Sequence, residues 1–519
     1  MHLFLPILAY VALSFGLSFL GVYTYGRFAR DSRGERSKAL PTTPAGTALD
    51  RIFAPLAQTR PGQTGLRLLA DNLEAFAARA HAARSAGRSL DLQYYIWEND
   101  LTGGLLGREV VAAADRGVRV RLLIDDINAQ GRDPLYLTLD AHPHIELRLF
   151  NPSRSRRPGL HRGFEILLRA FSATRRMHNK AWIADGRAAI VGGRNIGDQY
   201  FDAAQSANFR DLDLLVAGSA VGQIEAVFDG FWNSASVLPI RAFGKRRKAD
   251  LPALRQRLDR LATSGRAAPY LARVAAETDA RSLLADTAGF HWAEDVRVLS
   301  DPPNKARGAR SRKDWLAHAI YPLIGSAERE LLLVSPYFIP GEKGVENLRR
   351  LAGRGVRVAA LTNSLAATDV MAVHGAYAHY RKALLEAGIE LYELRPEPKR
   401  TRPSLFGSRG GASLHTKAFT VDGRTGFVGS FNFDPRSISL NTEMGVFFTH
   451  DALVEEVRQV IAEEIGPEDS FRVILEDGRL VWADGAGAQA EFWKAEPEAS
   501  LWRRLAATAI GWLPIESQL

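Results

Sequence analysis

The chain has 519 residues, 46 % apolar and 24 % charged, a profile that predicts two or three folded domains and excludes a disordered polymer. It contains no cysteine, so disulfides, cysteine nucleophiles and thiolate metal sites are ruled out. Lys and Arg number 67 against 58 Asp and Glu, and the net charge of +9 suits an anionic partner, either a lipid surface or nucleic acid.

From Leu3 to Gly26 no side chain is charged. That length spans a hydrocarbon core of roughly 30 Å as a helix, and residues 1–30 are expected to be a transmembrane anchor. A cleaved leader would carry basic residues before its apolar run. Here they follow it, at Arg27, Arg30, Arg33, Arg36 and Lys38. This asymmetry predicts a single-pass anchor in the inner membrane with the rest of the chain on the cytoplasmic side. Residues 31–65, rich in Ser, Thr, Pro and Gly, read as a linker.

Two halves then repeat one pattern. Ser89–Trp97 (SLDLQYYIW) and Glu330–Ile339 (ELLLVSPYFI) read as buried strands. Each is followed by a helical segment closing in RGVRV, at Arg116–Val120 and Arg354–Val358, and then by another strand. Strand, helix, strand at this spacing is a βαβ unit. The expected architecture is α/β with two duplicated lobes, 66–240 and 311–470, each a sheet covered by helices. A helical insert over 241–310 separates them, and a tail over 471–519 follows. Basic patches at Gly244–Lys248 (GKRRK) and Lys399–Arg402 (KRTR) read equally as solvated loops or anion contacts. In the tail, Leu501–Leu513 sets Trp502, Leu505, Ala509, Trp512 and Leu513 near one helical face beside Arg503 and Arg504. That is either an interfacial helix on anionic lipid or a helix packed on the second lobe.

The chemistry lies in two matching stretches, HNKAWIADGRAAIVGGRN over 178–195 and HTKAFTVDGRTGFVGSFN over 415–432. His178 and Lys180 share one strand face, as do His415 and Lys417. Brought together, they place two imidazoles and two ammonium groups around one phosphate. One histidine can attack phosphorus and the other can protonate the leaving oxygen. The lysines can hold the nonbridging oxygens, and Asn195 and Asn432 can donate amide hydrogens to them. Gly193 stands where the second motif has Ser430, so the first site lacks one hydroxyl. Asp211 and Glu443, on the strands after the motifs, are candidate carboxylates to orient the imidazoles, with Asp213 an alternative to Asp211. Asp185 and Asp422 belong to the motif and are grouped with its catalytic residues. Each precedes a glycine, though, and so is expected to stabilise the site as a turn residue. No metal spacing occurs, and neither a metal nor another cofactor is expected.

This duplicated HxK(x)4D pattern with a downstream GGxN or GSxN resembles the phospholipase D superfamily, and the match covers most of residues 66–470. The resemblance implies a two-lobed α/β/α sandwich with the site between the lobes. It implies metal-independent phosphatidyl transfer through a phosphohistidine; the resemblance favours His178 as nucleophile and His415 as acid and base, while the near-symmetric motifs leave the reverse assignment open. The strings LDLQYYIW, RMHNKAWIADG, IVGGRNIGD and VLSDPPNK, and the C-terminal EPEASLWRRLAATAIGWLPIESQL, are similar to class C bacterial cardiolipin synthases. That class implies a phosphatidylglycerol acceptor with phosphatidylglycerol or phosphatidylethanolamine as donor. The expected partners are therefore anionic and zwitterionic phospholipids and the membrane, with no nucleic acid and any accessory protein unidentified. The alternative is a hydrolase, a phospholipase D or an endonuclease, using the same residues.

Overall fold

Each half of the chain contributes the same run of short aliphatic strands, and each run closes into one mixed sheet. The computed structural model describes residues 23–156, 174–278, 283–284, 286–308, 311–396, 411–485, 487, 490–513 and 515–519. The first half supplies β1 (Thr64–Leu69), β2 (Ser89–Tyr94), β3 (Arg119–Asp125), β4 (Ile145–Phe150), β5 (Ala181–Ala184), β6 (Ala188–Gly192), β7 (Ala207–Arg210), β8 (Asp213–Gly218), β9 (Val237–Pro239) and β10 (His291–Ala293). The second supplies β11 (Val296–Ser300), β12 (Glu330–Val334), β13 (Arg357–Asn363), β14 (Glu390–Leu394), β15 (Gly411–Leu414), β16 (Ala418–Val421), β17 (Thr425–Gly429) and β18 (Met444–Thr449). It ends with β19 (Ser470–Glu476), β20 (Arg479–Asp484) and β21 (Glu491–Trp493).

The sheets run β10-β1-β8-β6-β5-β2-β3-β4-β9 and β11-β18-β17-β16-β12-β13-β14-β19-β20-β21. Their common part, β1-β8-β6-β5-β2-β3-β4, reappears strand for strand as β11-β18-β17-β16-β12-β13-β14. In both, the βαβ strands pair in parallel and the hairpin strands antiparallel. The crossover helices, Leu101–Asp115 and Gly341–Gly353, end at Gly117 and Gly355 with φ of 93° and 86°, a left-handed turn that glycine adopts without strain.

Both faces of each sheet are buried, so the strands read as near-continuous apolar runs. Ala181 and Ile183 of β5 face a core shared by the two lobes, while Trp182 and Ala184 face the first lobe's outer helices. Leu332 and Val334 of β12 enter the same shared core, and Leu331 and Leu333 point outward. The helices Ser219–Trp232 and Asp451–Glu464 lie in this shared layer. The interface is thus a hydrophobic interior rather than a polar domain contact.

Three segments differ from expectation. The linker over 31–65 contains a helix, Ala48–Thr59, opened by a capping box between Thr47 and Asp50. Asp50 is buried and paired with Arg88 and with Arg187 at 2.7 Å, which ties this segment to the first lobe. The insert over 241–310 does form helices, Leu251–Ala262 and Ala267–Glu277, but its end enters both sheets through β10 and β11. The tail extends the second sheet with β20 and β21 before its own helix, Leu501–Gly511. In the first basic patch, Arg246 pairs with Asp140 at 2.8 Å and Arg247 with Asp250 at 2.5 Å. The second patch lies outside the described residues.

Leu3 to Val22 of the expected anchor likewise lie outside the described residues. Among the described residues no helix is long and apolar enough to cross a membrane. The end of that segment docks on the first lobe, where the Tyr25 hydroxyl donates to the Pro152 carbonyl at 2.7 Å.

Candidate active site

Two short parallel pairings between the lobes create the site. Leu414 pairs with Arg210 in the β7–β15 ladder, and Met177 bridges Thr442. Each of these four residues immediately precedes a predicted site residue. The His178 N–H donates to the Thr442 carbonyl at 2.9 Å, and the His415 N–H to the Arg210 carbonyl at 2.8 Å. One residue further along, the side chains meet. His178 Nδ1 lies 2.8 Å from Glu443 Oε2, and His415 Nδ1 lies 2.5 Å from Asp211 Oδ2. Each carboxylate therefore orients the histidine of the other lobe. A carboxylate at Nδ1 accepts the hydrogen bond of the N–H there, which fixes the tautomer and leaves Nε2 with its lone pair. Asp213 instead binds the buried Arg79 and Arg194, at 2.8 and 3.2 Å, and plays no part in orienting a ring.

The lysines accompany the rings. Lys180 Nζ donates to the His178 carbonyl at 2.6 Å, and Lys417 Nζ donates to that of His415. Only 7 % of His178 and 6 % of His415 is exposed, so bulk water has little access. Burial is also the main reason that His178 is pushed down to about 4, helped by Lys180 and opposed by Glu443. His415 is likewise held well below its usual range by burial, then by Lys417, Lys180 and His178. Burial lowers Lys417 to about 8 and carries Lys180 well down too. Burial thus favours the neutral form of both imidazoles, the form a nucleophile requires.

The two carboxylates differ. Glu443 also accepts from Ser430 Oγ at 2.5 Å and Ser437 Oγ at 3.0 Å. Burial would raise it, but His178, Lys180 and Ser430 outweigh that and hold it below its ordinary value. Among the described residues Asp211 has only His415 and the Leu212 N–H as donors, and burial raises it. Gly193 explains why the first motif lacks a serine. A Cβ there would sit 2.0 Å from Asp211 Oδ1, so the carboxylate fills the space that the Ser430 side chain takes in the other lobe.

Asn195 donates to the Tyr200 hydroxyl at 2.9 Å and accepts from the Ile96 N–H at 3.2 Å, which fixes its amide. The buried Asn432 has no hydrogen-bond partner at its acceptor Oδ1 among the described residues.

The grouping of Asp185 and Asp422 with the catalytic residues needs correction. Both adopt left-handed φ, 55° and 56°, followed by Gly186 and Gly423 at 67°, the backbone of a type I′ hairpin turn. Asp185 accepts from the N–H groups of Gly87, Arg88 and Ser89, and Asp422 from those of Glu328, Arg329 and Glu330. They pin the far end of each motif hairpin to the neighbouring strand, roughly 16 Å of strand beyond the lysine.

Sequence reading missed the aromatic walls. Tyr95 packs edge-on against the His178 ring with centroids 5.0 Å apart, and Tyr200 and Phe209 flank His415 at 5.2 and 5.0 Å. Tyr95 sits at the end of the predicted strand, where period-two alternation breaks as β2 stops at Tyr94. That break was the available signal.

Paired histidines and lysines, oriented by carboxylates exchanged across a duplicated α/β fold, define a two-lobed phospholipase D-like enzyme built for phosphodiesters. The family described as "Cardiolipin synthase, PLD-like domain" matches residues 80–232 and 320–465, and the chain belongs to it. Cardiolipin synthase C of Escherichia coli K12 is 40 % identical over 474 residues, covering 89 % of this chain and 98 % of that protein. A cardiolipin synthase of Geobacillus sp. WCH70 is 26 % identical over 403 residues, covering 77 % of this chain and 65 % of that protein. The crystal structure of phosphatidylserine synthase from Haemophilus influenzae shares the fold, with a TM-score of 0.56 at 13 % identity over 90 % of this chain and 99 % of that one.

Proposed function

We infer that the chain is a phosphatidyltransferase that forms cardiolipin through a phosphohistidine. Two supports are the family membership and the likeness to cardiolipin synthase C over nearly its whole length. The observation that carries the mechanism is the exchanged pairing of His178 with Glu443 and His415 with Asp211.

His178 Nε2 attacks the phosphorus of a donor phospholipid, and the P–O bond to the headgroup alcohol breaks. His415, protonated once the anionic phosphate enters, gives its proton to the departing oxygen. The phosphatidyl group is now on His178. Neutral His415 then takes the proton of a phosphatidylglycerol hydroxyl, whose oxygen attacks phosphorus and releases His178. Lys180 and Lys417 neutralise the nonbridging oxygens in both steps, and the Nδ2 amide of Asn432 donates to them. Burial of both rings favours an alcohol acceptor over water.

Phosphatidylglycerol serves as acceptor, and phosphatidylglycerol or phosphatidylethanolamine as donor. The uncharged run from Leu3 to Gly26 supports a membrane anchor that keeps the cleft at the lipid surface. The test uses labelled phosphatidylglycerol in mixed micelles, with and without phosphatidylethanolamine. Labelled cardiolipin is the expected product. Phosphatidic acid as the sole lipid product would make the chain a hydrolase.

A further inference from the structure

The outermost surface of the tail is unlike the rest of the protein. Of the nine large apolar side chains exposed among the described residues, seven lie between Phe492 and Leu513. Five sit on or just after the helix Leu501–Gly511, with Trp502 74 %, Trp512 79 % and Leu505 58 % exposed. At 100° per residue, Leu501, Trp502, Leu505, Ala509, Trp512 and Leu513 fall within an arc of about 120°. No polar residue interrupts that arc.

The opposite side of this helix is packed. Ala507 is buried, and Gly375 of the helix Met371–Ala378 comes so near that a Cβ there would lie 2.6 Å from the Ala507 carbonyl oxygen. Glu496, just upstream, accepts from Arg381 at 2.5 Å and His374 at 3.2 Å. The helix is therefore held fast, with its apolar face turned outward.

Two observations indicate what covers that face. Residues 501–513 carry Arg503 and Arg504 and no acidic residue. Both guanidiniums donate only to backbone carbonyls: Arg503 to Leu365 and Thr368 at 2.9 Å each, and Arg504 to Glu496 at 2.7 Å. Among the described residues neither has a carboxylate partner, and Arg504 borders the Trp- and Leu-lined face while Arg503 turns to the packed side. This is the composition of a helix lying in an anionic lipid interface.

The same tail touches the rim of the cleft at both ends. Arg503 holds the loop before Asp369, whose carboxylate accepts from the Tyr337 hydroxyl at 2.9 Å and acts on the Lys417 ammonium. At the other end, the Leu519 and Gln518 carbonyls accept from Arg436 at 2.8 and 2.9 Å. Arg436 lies in the short helix Pro435–Ser439 that follows the second motif.

We propose that the outer face of Leu501–Leu513 docks into an anionic phospholipid surface, and that this docking sets the rim of the cleft through Arg503 and Arg436. The proposal rests on the reading that the substrate is a membrane lipid. It adds a second membrane contact, independent of the N-terminal segment, that couples lipid binding to the cleft.

Because the chain has no cysteine, Leu505→Cys accepts a single environment-sensitive fluorophore, with Lys343→Cys as a reference. The full chain is reconstituted into liposomes of phosphatidylglycerol and phosphatidylethanolamine, or of phosphatidylcholine alone. The expected result is a blue shift at position 505 in the anionic liposomes, with quenching by brominated acyl chains, and neither at 343. A label at 505 that stays aqueous there overturns the proposal. So does one already buried in micelles in proportion to protein concentration, which would identify a second copy of the chain as the occupant. In the Trp502→Ser/Trp512→Ser variant, the ratio of turnover on liposomes to turnover on micelles should fall on the order of tenfold. Equal losses on both would reduce the helix to a structural prop. An aqueous label on an active transferase would remove only the docking. A buried label on a protein that makes no cardiolipin would remove only the assigned reaction.

Discussion

Restoring the serine that the first motif lacks should disable the enzyme. In Gly193→Ser the new Cβ would lie 2.0 Å from Asp211 Oδ1 and 2.6 Å from its Cγ, well inside contact distance. Gly193 is not among the residues with positive φ, so the backbone tolerates a side chain and the conflict is with the carboxylate alone. Asp211 must swing away, and the 2.5 Å contact with His415 Nδ1 is lost. An imidazole without its orienting carboxylate loses about two to four orders of magnitude in turnover, or about 3–5 kcal/mol of transition-state stabilisation. Overpacking adds a stability cost of about 1–3 kcal/mol. Phosphatidyl transfer in mixed micelles measures the first effect, and thermal unfolding followed by circular dichroism the second. The decisive comparison is a double-mutant cycle with Asp211→Ala. In that background the serine should cost little, because the group it displaces is already absent. Turnover within about threefold of wild type for Gly193→Ser, or additive losses in the cycle, would refute this account of the glycine.

Three further outcomes follow from the same geometry. Lys417 is a cation below its pKa of about 8 and loses that charge as pH rises through it, so kcat/KM should fall above about pH 8. The limb in kcat should lie higher, since bound phosphate favours the protonated lysine. A kcat/KM flat to pH 10 would take that charge out of substrate capture. Asp185→Ala strands three backbone donors, so it should lower stability by at least about 3 kcal/mol while the folded fraction keeps near-normal turnover. Loss of turnover without loss of stability would return Asp185 to the catalytic group. Arg210→Ala leaves Glu464 and Asp469 buried without the cation that lies 2.6 and 2.9 Å away, and should cost about 3–5 kcal/mol in denaturant unfolding.

What could be read from the sequence was what repeats. His178, Lys180 and Asn195 recur at the same offsets as His415, Lys417 and Asn432, and RGVRV recurs with its helix-ending glycine, so motif and βαβ unit were both visible. The exchange of carboxylates was not. It depends on a two-stranded ladder of four residues per strand and one isolated bridge, contacts too short and too distant in sequence to leave a periodic signature. The helix Ala48–Thr59 did announce itself through Thr47 and Asp50, but Pro55 within it and the surrounding Ser, Thr and Pro favoured a linker. β10 and β21 have only three residues each and no alternation, so their places at the sheet edges follow from tertiary packing alone. The glycine at 193 was visible as a missing hydroxyl. Its meaning needed the carboxylate that occupies the space.

The exchange has a mechanical consequence. Had each lobe oriented its own histidine, the lobes could part without disturbing either ring. With the carboxylates crossed, any separation disorients both imidazoles together, so the chemistry requires the closed interface, and that interface is built as core. The crossing is nearly symmetric, yet the two pairs are not chemically equal. Glu443 has two hydroxyl donors besides His178 and is held below its ordinary pKa by His178, Lys180 and Ser430, and its negative charge raises the basicity of the ring it holds. Asp211 lacks those hydroxyls and is raised by burial, so it holds the His415 ring with less negative charge behind it. The proposed assignment gives attack to the first lobe and proton transfer to the second, and the hydroxyls of Ser430 and Ser437 on Glu443, with Gly193 in place of a serine beside Asp211, support it. Rapid quenching during turnover should trap the phosphatidyl group on the peptide containing His178. A trapped peptide containing His415 would mean that the better-charged carboxylate serves the acid and base rather than the nucleophile.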